Sequence, residues 1–538
     1  MATPNIVPRA DSEGGLGTAS KYWASAYIDT ITTTGNVTVG GTINGIPFYS
    51  DATDGSMYTH DVSGTDDTAA GNTAYGFAAM DAITTGDYNV AIGNEAGGGL
   101  TTGQRNIAIG YRALLSEDTG NGSIAIGDNT LASQNNDAWN YNVAIGYRAG
   151  IATTSASGSV MIGSGAGDAT TTGNGHVAIG YGALGSGNAT ADGAVAIGYM
   201  AGNTFTNAGN EGSVYIGYKA GQGIVNSTVV MIGYKAGSSY SGTGKGEGVT
   251  LIGHRAGLNS NDDAINNTAV GYASLYANTA GERNTVMGRN AGFEITTGDN
   301  NTLIGYNTMG PLTGNRNTAI GAGAMQDVDA GSTSGGSSDN VFMGYDAGGG
   351  TWADAASQYN IGIGNYTLQG ALNGAVYNTV IGHQAGYSMT SGDYNTFMGG
   401  FAGQNLTTGG NNVAIGVNAL LSHTTGNHNI AIGNNAMTDT NAGSTSLGST
   451  ENIFIGSTAG GGTWADAASN YNVGIGHYVM DSALDGATYN TAVGQAALSG
   501  LTTGDHNTTL GYKAGQNMTT GVYNVIIGSQ AGDAASIG

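Results

Sequence analysis

Residues 72–114 read NTAYGFAAMDAITTGDYNVAIGNEAGGGLTTGQRNIAIGYRAL. The segment states one phrase three times, Asn72-x-x-x-Gly76, Asn89-x-x-x-Gly93 and Asn106-x-x-x-Gly110, each 17 residues after the last. Self-similarity at a fixed short period marks a stacked repeat architecture, so the repeat has to be followed before any local element is assigned. Aligned on its first residue, the phrase occurs 26 times, at 72, 89, 106, 123, 142, 159, 176, 194, 213, 229, 249, 267, 284, 301, 317, 340, 360, 378, 395, 412, 429, 452, 472, 490, 507 and 524. Glycine closes every copy, and Asn opens all but those at Ser123, Ser159, His176, Ala194, Ser213, Val229 and Val249. A longer period lies over the short one: intervals of 23, 20, 18, 17 and 17 follow residue 317 and recur after 429, so that a block of 112 residues at 317–428 is duplicated at 429–538. GGGTWADAAS at 348–357 and again at 460–469 shows the copying directly.

Within the phrase, the residue after Asn is Val, Ile or Thr in every copy, and the third residue is Ile in 19 of 26. Side chains alternate along a strand, so these two share a face and the residue between them, most often Ala, takes the other. A strand apolar on both faces is covered on both. The reading is all-β: a parallel β-solenoid or β-roll of about 26 rungs of ~17 residues, each stacking its strand on the next. Gly93, Gly110, Gly127, Gly146, Gly416 and Gly433 are then turn glycines. The recurrent Asn stacks in a ladder or caps a turn, and strings such as Thr101-Thr102-Gly103 form the opposite corner. Ile92, Ile109, Ile126, Ile145, Ile179, Ile415 and Ile432 are assigned to the core of the rungs. One strand face fills the coil and the other needs a partner; association with further copies along the whole length supplies it, with dimer and trimer both open at this level.

Composition agrees with an ordered repeat. Of 538 residues, 99 are Gly, 4 Pro and none Cys, and only 9% are charged, which is not the high-charge signature of disorder. A formal charge of −24 offers no basic patch to phosphates, so nucleic acid is not an expected partner. No apolar run reaches the roughly 20 residues that span a bilayer, so membrane insertion is not expected either.

NVAIGYRAG at 142–150 resembles the repeat in the head domains of YadA-like trimeric autotransporter adhesins, and the longer LTTGxxNxxIGxxAG form resembles shaft repeats of bacteriophage tail fibres. Residues 4–43, PNIVPRADSEGGLGTASKYWASAYIDTITTTGNVTVGGTI, resemble the N-terminal segment of phage, notably cyanophage-type, fibre proteins. The resemblance implies a homotrimeric fibre located on the virion, as a tail or capsid fibre exposed to the medium. It makes 1–50 a module that attaches to a virion or tail protein or caps the coil, and 51–538 the repetitive shaft. The implied function is structural and adhesive, contributing to host-surface recognition with a surface glycan as a candidate partner. The alternative is a bacterial cell-surface trimeric adhesin head. Related fibres carry a C-terminal chaperone that is cleaved off, so a processed end is expected here.

No catalytic residue, metal ligand set or cofactor is assigned. His176, His254, His383 and His477 are scattered, and the acidic neighbours Asp66 with Asp67 and Asp262 with Asp263 read as turn carboxylates. Tyr111, Tyr147, Tyr181, Tyr199, Tyr218, Tyr234, Tyr272, Tyr306, Tyr345 and Tyr512 follow closing glycines, and stacked one per rung they form an interrupted ladder that stiffens the shaft. Trp139, Trp352 and Trp464 lie in longer intervals, hence in expanded loops. They are candidate glycan contacts or covers for a neighbouring chain. Twenty-six rungs at ~4.8 Å each predict a rod of about 120 Å; small-angle scattering should give an elongated particle, and a near-spherical one would contradict the solenoid.

Overall fold

Each rung is organised by what its opening Asn must do. A carboxamide turned into a narrow apolar coil has to find partners for both ends. Asn89 Nδ2 donates to the carbonyl of Gly103 across the same rung (2.8 Å), and its Oδ1 accepts the backbone N–H of Asn106 in the next (2.9 Å). The pattern repeats through Asn267, Asn284 and Asn395. From Asn284 to Asn524 the side chains also bond directly to one another rung after rung, beginning with Asn301 Nδ2 to Asn284 Oδ1 at 3.1 Å and ending with Asn524 Nδ2 to Asn507 Oδ1 at 3.0 Å. The Asn is therefore both ladder and corner clamp.

The computed structural model describes residues 68–533, except 187–189, 205–210, 224–227, 240–246, 261–263, 311–312, 328–335, 353–354 and 441–447, together with 42–43, 46–47, 49–51 and 56–59. All 26 phrases are strands, from Thr73–Tyr75 to Val525–Ile527, with no α-helix among the described residues. Each pairs in parallel with the next at matching positions: Val90 with Ile107, Ala91 with Ala108, Ile92 with Ile109. Where Val229 and Val249 replace Asn, no carboxamide clamps the corner, and the strands lengthen to Val229–Ile232 and Val249–Ile252. Ahead of the first rung, Tyr49–Asp51 runs antiparallel to Ser56–Tyr58, which joins the parallel ladder at Thr73–Tyr75. Thr42–Ile43 pairs antiparallel with Ile46–Pro47; residues 1–41 of the expected 1–50 module, including Tyr22, Trp23 and Tyr27, lie outside the described residues.

The closing glycine is required by its surroundings. Gly93, Gly110, Gly127, Gly146, Gly416 and Gly433 have φ between +131° and +139°, a region closed to side-chain-bearing residues. A Cβ on Gly93 would also stand 2.6 Å from the carbonyl oxygen of Gly110 in the next rung. The other left-handed positions differ. The residue before Asn, and the second and fourth after the closing glycine, take φ near +55° while carrying full side chains such as Tyr88, Glu95 and Leu114.

Inside the coil, volume is matched within a rung. The middle strand residue faces inward, as do Ala and Leu or Met in the turn that follows: Ala108, Ala113 and Leu114 are fully buried. Where the middle residue is small, the turn supplies bulk in most rungs, as in Ala125 with Leu131 and Ala431 with Met437; the rungs of Ala91, Ala144 and Ala196 instead have Gly97, Gly150 and Gly202, where a Cβ would meet Met80, Leu131 and Leu184 of the preceding rung. Where the middle residue is large, the same turn position is Gly in every rung but that of Leu303 with Met309, and at those glycines there is no room for more. A Cβ on Gly167 would meet Met161 Sδ at 2.6 Å, one on Gly257 would meet Leu251 at 2.6 Å, and one on Gly348 would meet Phe342 at 2.8 Å.

This pairing predicts a coupling. Ala108→Phe alone overpacks the rung and should cost about 1–3 kcal/mol, and Leu114→Gly alone leaves a cavity costing about 2–5 kcal/mol. The double variant reproduces the Phe342/Gly348 arrangement and should be more stable than either loss summed, by at least about 1 kcal/mol. Hydrogen exchange at the amides of Ile107 and Ile109 reads the local stability; strict additivity would refute the size match.

Candidate functional site

With the middle residue turned inward, the first and third strand residues point away from the coil. This reverses the expected assignment. Ile92 and Ile145 are 39% and 37% exposed, and Ile109, Ile126, Ile179, Ile415 and Ile432 are only partly covered, whereas Ala91, Ala108, Ala125 and Ala144 between the outward pairs are wholly buried. The reason is width: a 17-residue turn leaves so little space behind the strand that Ala fills it, and the bulky β-branched residues go to the outer face. Two adjacent columns, mostly Val, Ile and Thr, therefore run the length of the ladder, half-buried or exposed at every rung. A continuous apolar strip of this kind is a docking surface in most proteins.

A second surface lies just past the closing glycines. Tyr181, Tyr199, Tyr218, Tyr234, His254 and Tyr272 stack face to face over six successive rungs, with ring centroids 4.9–5.2 Å apart. Lys219 and Lys235 lie against the faces of Tyr218 and Tyr234, and the Arg289 guanidinium sits 5.5 Å from the Tyr272 ring and 5.8 Å from that of Tyr306. Five of the ten expected tyrosines, Tyr181, Tyr199, Tyr218, Tyr234 and Tyr272, thus stack as a ladder, with His254 as one of its rungs.

Another pair of ladders was not anticipated. The residue before Asn forms stacks Tyr359–Tyr377–Tyr394 and Tyr471–Tyr489–His506–Tyr523, at 4.7–5.2 Å. The signal was in the sequence, since Y-N precedes these strands repeatedly, but the position falls outside the N-x-x-x-G frame. Rung-to-rung ion pairs Arg112–Glu95 and Arg316–Asp339, each 2.6 Å, complete the exterior and, being solvent-exposed, add little to stability.

Two of the three tryptophans proposed as glycan contacts are inaccessible. Trp352 and Trp464 are completely buried, each donating its indole N–H to a carbonyl, Gly348 at 2.9 Å and Gly460 at 3.0 Å, and packing edge-on against Phe342 and Phe454. The longer intervals that carry them enlarge the coil and need filling from within. Trp139 is 44% exposed, stacked on Tyr141 and flanked by the Arg105 guanidinium at 5.6 Å. Among the described residues no three acidic or His side chains converge as metal ligands. Asp66, Asp67, Asp262 and Asp263 lie outside the described residues.

Among the described residues, one carboxylate and two imidazoles are completely buried in the coil. Glu117 accepts hydrogen bonds from Gly120 N (2.7 Å), Gln134 Nε2 (2.8 Å) and Asn140 Nδ2 (2.9 Å); burial raises its pKa against these donors. His176 replaces an Asn of the ladder, its Nδ1 accepting from Ala194 N at 3.2 Å, and burial lowers its pKa. His423 occupies the interior corner that is Leu406 one rung earlier. It lies 3.0 Å from Thr440 Oγ1 and 3.2 Å from Asn429 Nδ2, and burial drops its pKa to about 4.

No protein-family model matches this chain, and no curated protein matches it.

His423 makes the fold acid-sensitive in a defined window. The unfolded imidazole protonates near 6.5 and the folded one near 4, so as pH falls from 6.5 to 4 the unfolded state binds the extra proton and stability declines, by roughly 3 kcal/mol in total. Below the folded value no further loss comes from this group. His423→Leu, which restores the residue type of Leu406, should flatten the unfolding midpoint over that window relative to the parent chain; an unchanged pH profile would show that His423 does not carry the effect.

Proposed function

We propose that the chain is the shaft of a virion fibre, a non-catalytic structural and adhesive element in which three copies associate along their length and the assembly contributes to host-surface recognition. The observation that carries the reading is the outer strand face. A linear solenoid that buries its middle strand residue inside still presents Val, Ile and Thr outward on rung after rung, including Ile109, Ile126 and Ile145. Among the described residues that strip stays half-buried or exposed at every rung, and parallel copies related by a rotation axis along the rod would cover it at every rung while closing the assembly. The strip's length favours a long, shared interface over a point contact. The resemblance of residues 4–43 to fibre attachment segments supports a virion location and a partner at that end.

The test is mass and shape. Light scattering coupled to size exclusion should give about 160 kDa, three times the chain's 53.4 kDa. The combined variant Ile109→Asp, Ile126→Asp, Ile145→Asp places carboxylates on the outer strip and not in the coil, so each chain should keep its β-sheet circular dichroism while association is lost or weakened at least tenfold. A parent chain that stays monomeric at high concentration, or a variant that associates like the parent, would refute the interface.

A further inference from the structure

Between Tyr147 and Tyr181 the aromatic column is interrupted by Ser164, one rung from each. The two rings line a cavity of about 320 Å³ together with Arg148, Asp168, Ser186 and Asn203. Tyr147 and Tyr181 are 54% and 57% exposed, against 39–43% for Tyr199, Tyr218 and Tyr234, which have a ring on both sides. Consecutive rings in this column stand 5.2 Å apart, so two rungs leave about 10 Å, room for one flat group in contact with both faces. The same chain shows a gap of this kind filled: Arg289 lies between Tyr272 and Tyr306, two rungs apart.

Two glycines keep the gap at Ser164 open. The second position after the closing glycine carries a side chain at left-handed φ in 23 of the 26 rungs, so the backbone does not demand glycine there. Gly165 and Gly182 nevertheless occupy it in successive rungs. A comparable gap, at Ala322 beside Gly323, is plugged, because Asp346 from the following rung leans into the space a Cβ on Gly323 would take. Gly182 stands where Asp346 stands in that rung, and among the described residues a Cβ on Gly165 would come no closer than 3.6 Å to a neighbour, Asp168 Oδ2.

The rim is polar and balanced. Asn203 is fixed by donating to Gly182 O (2.9 Å) and accepting from Ser186 Oγ (3.3 Å). Asp168 Oδ1 is buried without a hydrogen-bond partner, and burial raises the Asp168 pKa despite the opposing charge of Arg148. An occupant must have apolar faces, hydrogen-bonding edges and no net charge, since a second guanidinium would meet Arg148 and a carboxylate would meet Asp168.

We propose that this slot binds a pyranose ring of a neutral glycan, its C–H faces sandwiched between Tyr147 and Tyr181 and its hydroxyl edge bonded to Asp168 and Arg148. The site assigns a ligand class and a place to the surface-recognition reading, yet it belongs to the single chain and stands whether or not copies associate.

Saturation-transfer NMR and titration with the methyl glycosides of glucose, galactose, mannose and N-acetylglucosamine test it, with the mass of each sample recorded so that loss of association and loss of sugar binding are read separately. At least one glycoside should bind with a dissociation constant on the order of millimolar. Ser164→Tyr installs the column's own commonest ring, should leave the melting temperature unchanged and should weaken binding at least tenfold. Gly182→Asp, copying the plug at Asp346, should do the same and serves if the first variant misfolds. Asp168→Asn should weaken binding several-fold. No binding by any glycoside, binding that survives both plugging variants, or tighter binding of methylguanidinium than of every glycoside would each overturn the proposal.

Discussion

The buried carboxamide column is the constraint from which the rest of the chain follows. An Asn inside an apolar tube has four hydrogen-bonding sites to satisfy, and this one meets them by reaching across its own turn and along the axis to the next. Each bond fixes a different quantity: the first ties the strand corner to the opposite corner of its own rung, across 13 residues in one rung and 20 in another, and the second sets register between rungs. With Asn held, alternation sends the next residue out, the middle one in and the third out. At His176, Ser159 Oγ and His176 Nδ1 accept the same rung-to-rung N–H bonds with other chemistry. At Val229 and Val249 no such acceptor exists, and extra strand pairing replaces it.

A coil of this width stores little apolar volume, and that scarcity shapes both its inside and its outside. Within, large and small residues trade places across one rung, Phe454 with Gly460 or Ala492 with Leu498, so that neither voids nor clashes arise. Without, bulky β-branched residues have nowhere else to go, which produces the outer strip. The aromatic columns are a further product of the same repeat, because residues at equal positions in successive rungs come to one stacking distance regardless of how many loop residues separate them. Tyr199 and Tyr218 stack at 5.2 Å across a 19-residue interval as well as Tyr218 and Tyr234 do across 16.

Much of this was legible in the sequence. The 17-residue phrase gave the solenoid, its strands and the glycine corners, because backbone geometry repeats without regard to side-chain size. The inward face was misassigned: the near-invariance of Ile suggested a core, whereas the variable middle position, Ala in one rung and Phe in another, is the true interior and varies because its partner in the turn compensates. Trp352 and Trp464 were misread for a related cause, since a longer interval looks like a loop but here enlarges the tube. The gap at Ser164 could not be seen from one rung alone; it depends on Ser164, Gly165 and Gly182 together, in two successive rungs.

The left-handed corners bear on how such a chain acquires its structure. Among the described residues, fifty-three other than glycine hold positive φ, each at a local cost of about 1 kcal/mol or more, so the sum runs to tens of kcal/mol that no isolated turn can offset. Only a neighbouring rung, accepting and donating at the same corners, makes the conformation favourable. A single rung is therefore a high-energy nucleus, while adding one to an existing stack is downhill, the same imbalance of nucleation and propagation that governs helix formation but with a 17-residue step. The chain orders as a front moving along the axis from wherever two or three rungs first hold together, and a template that presents one finished edge would set both the direction and the starting point of that front.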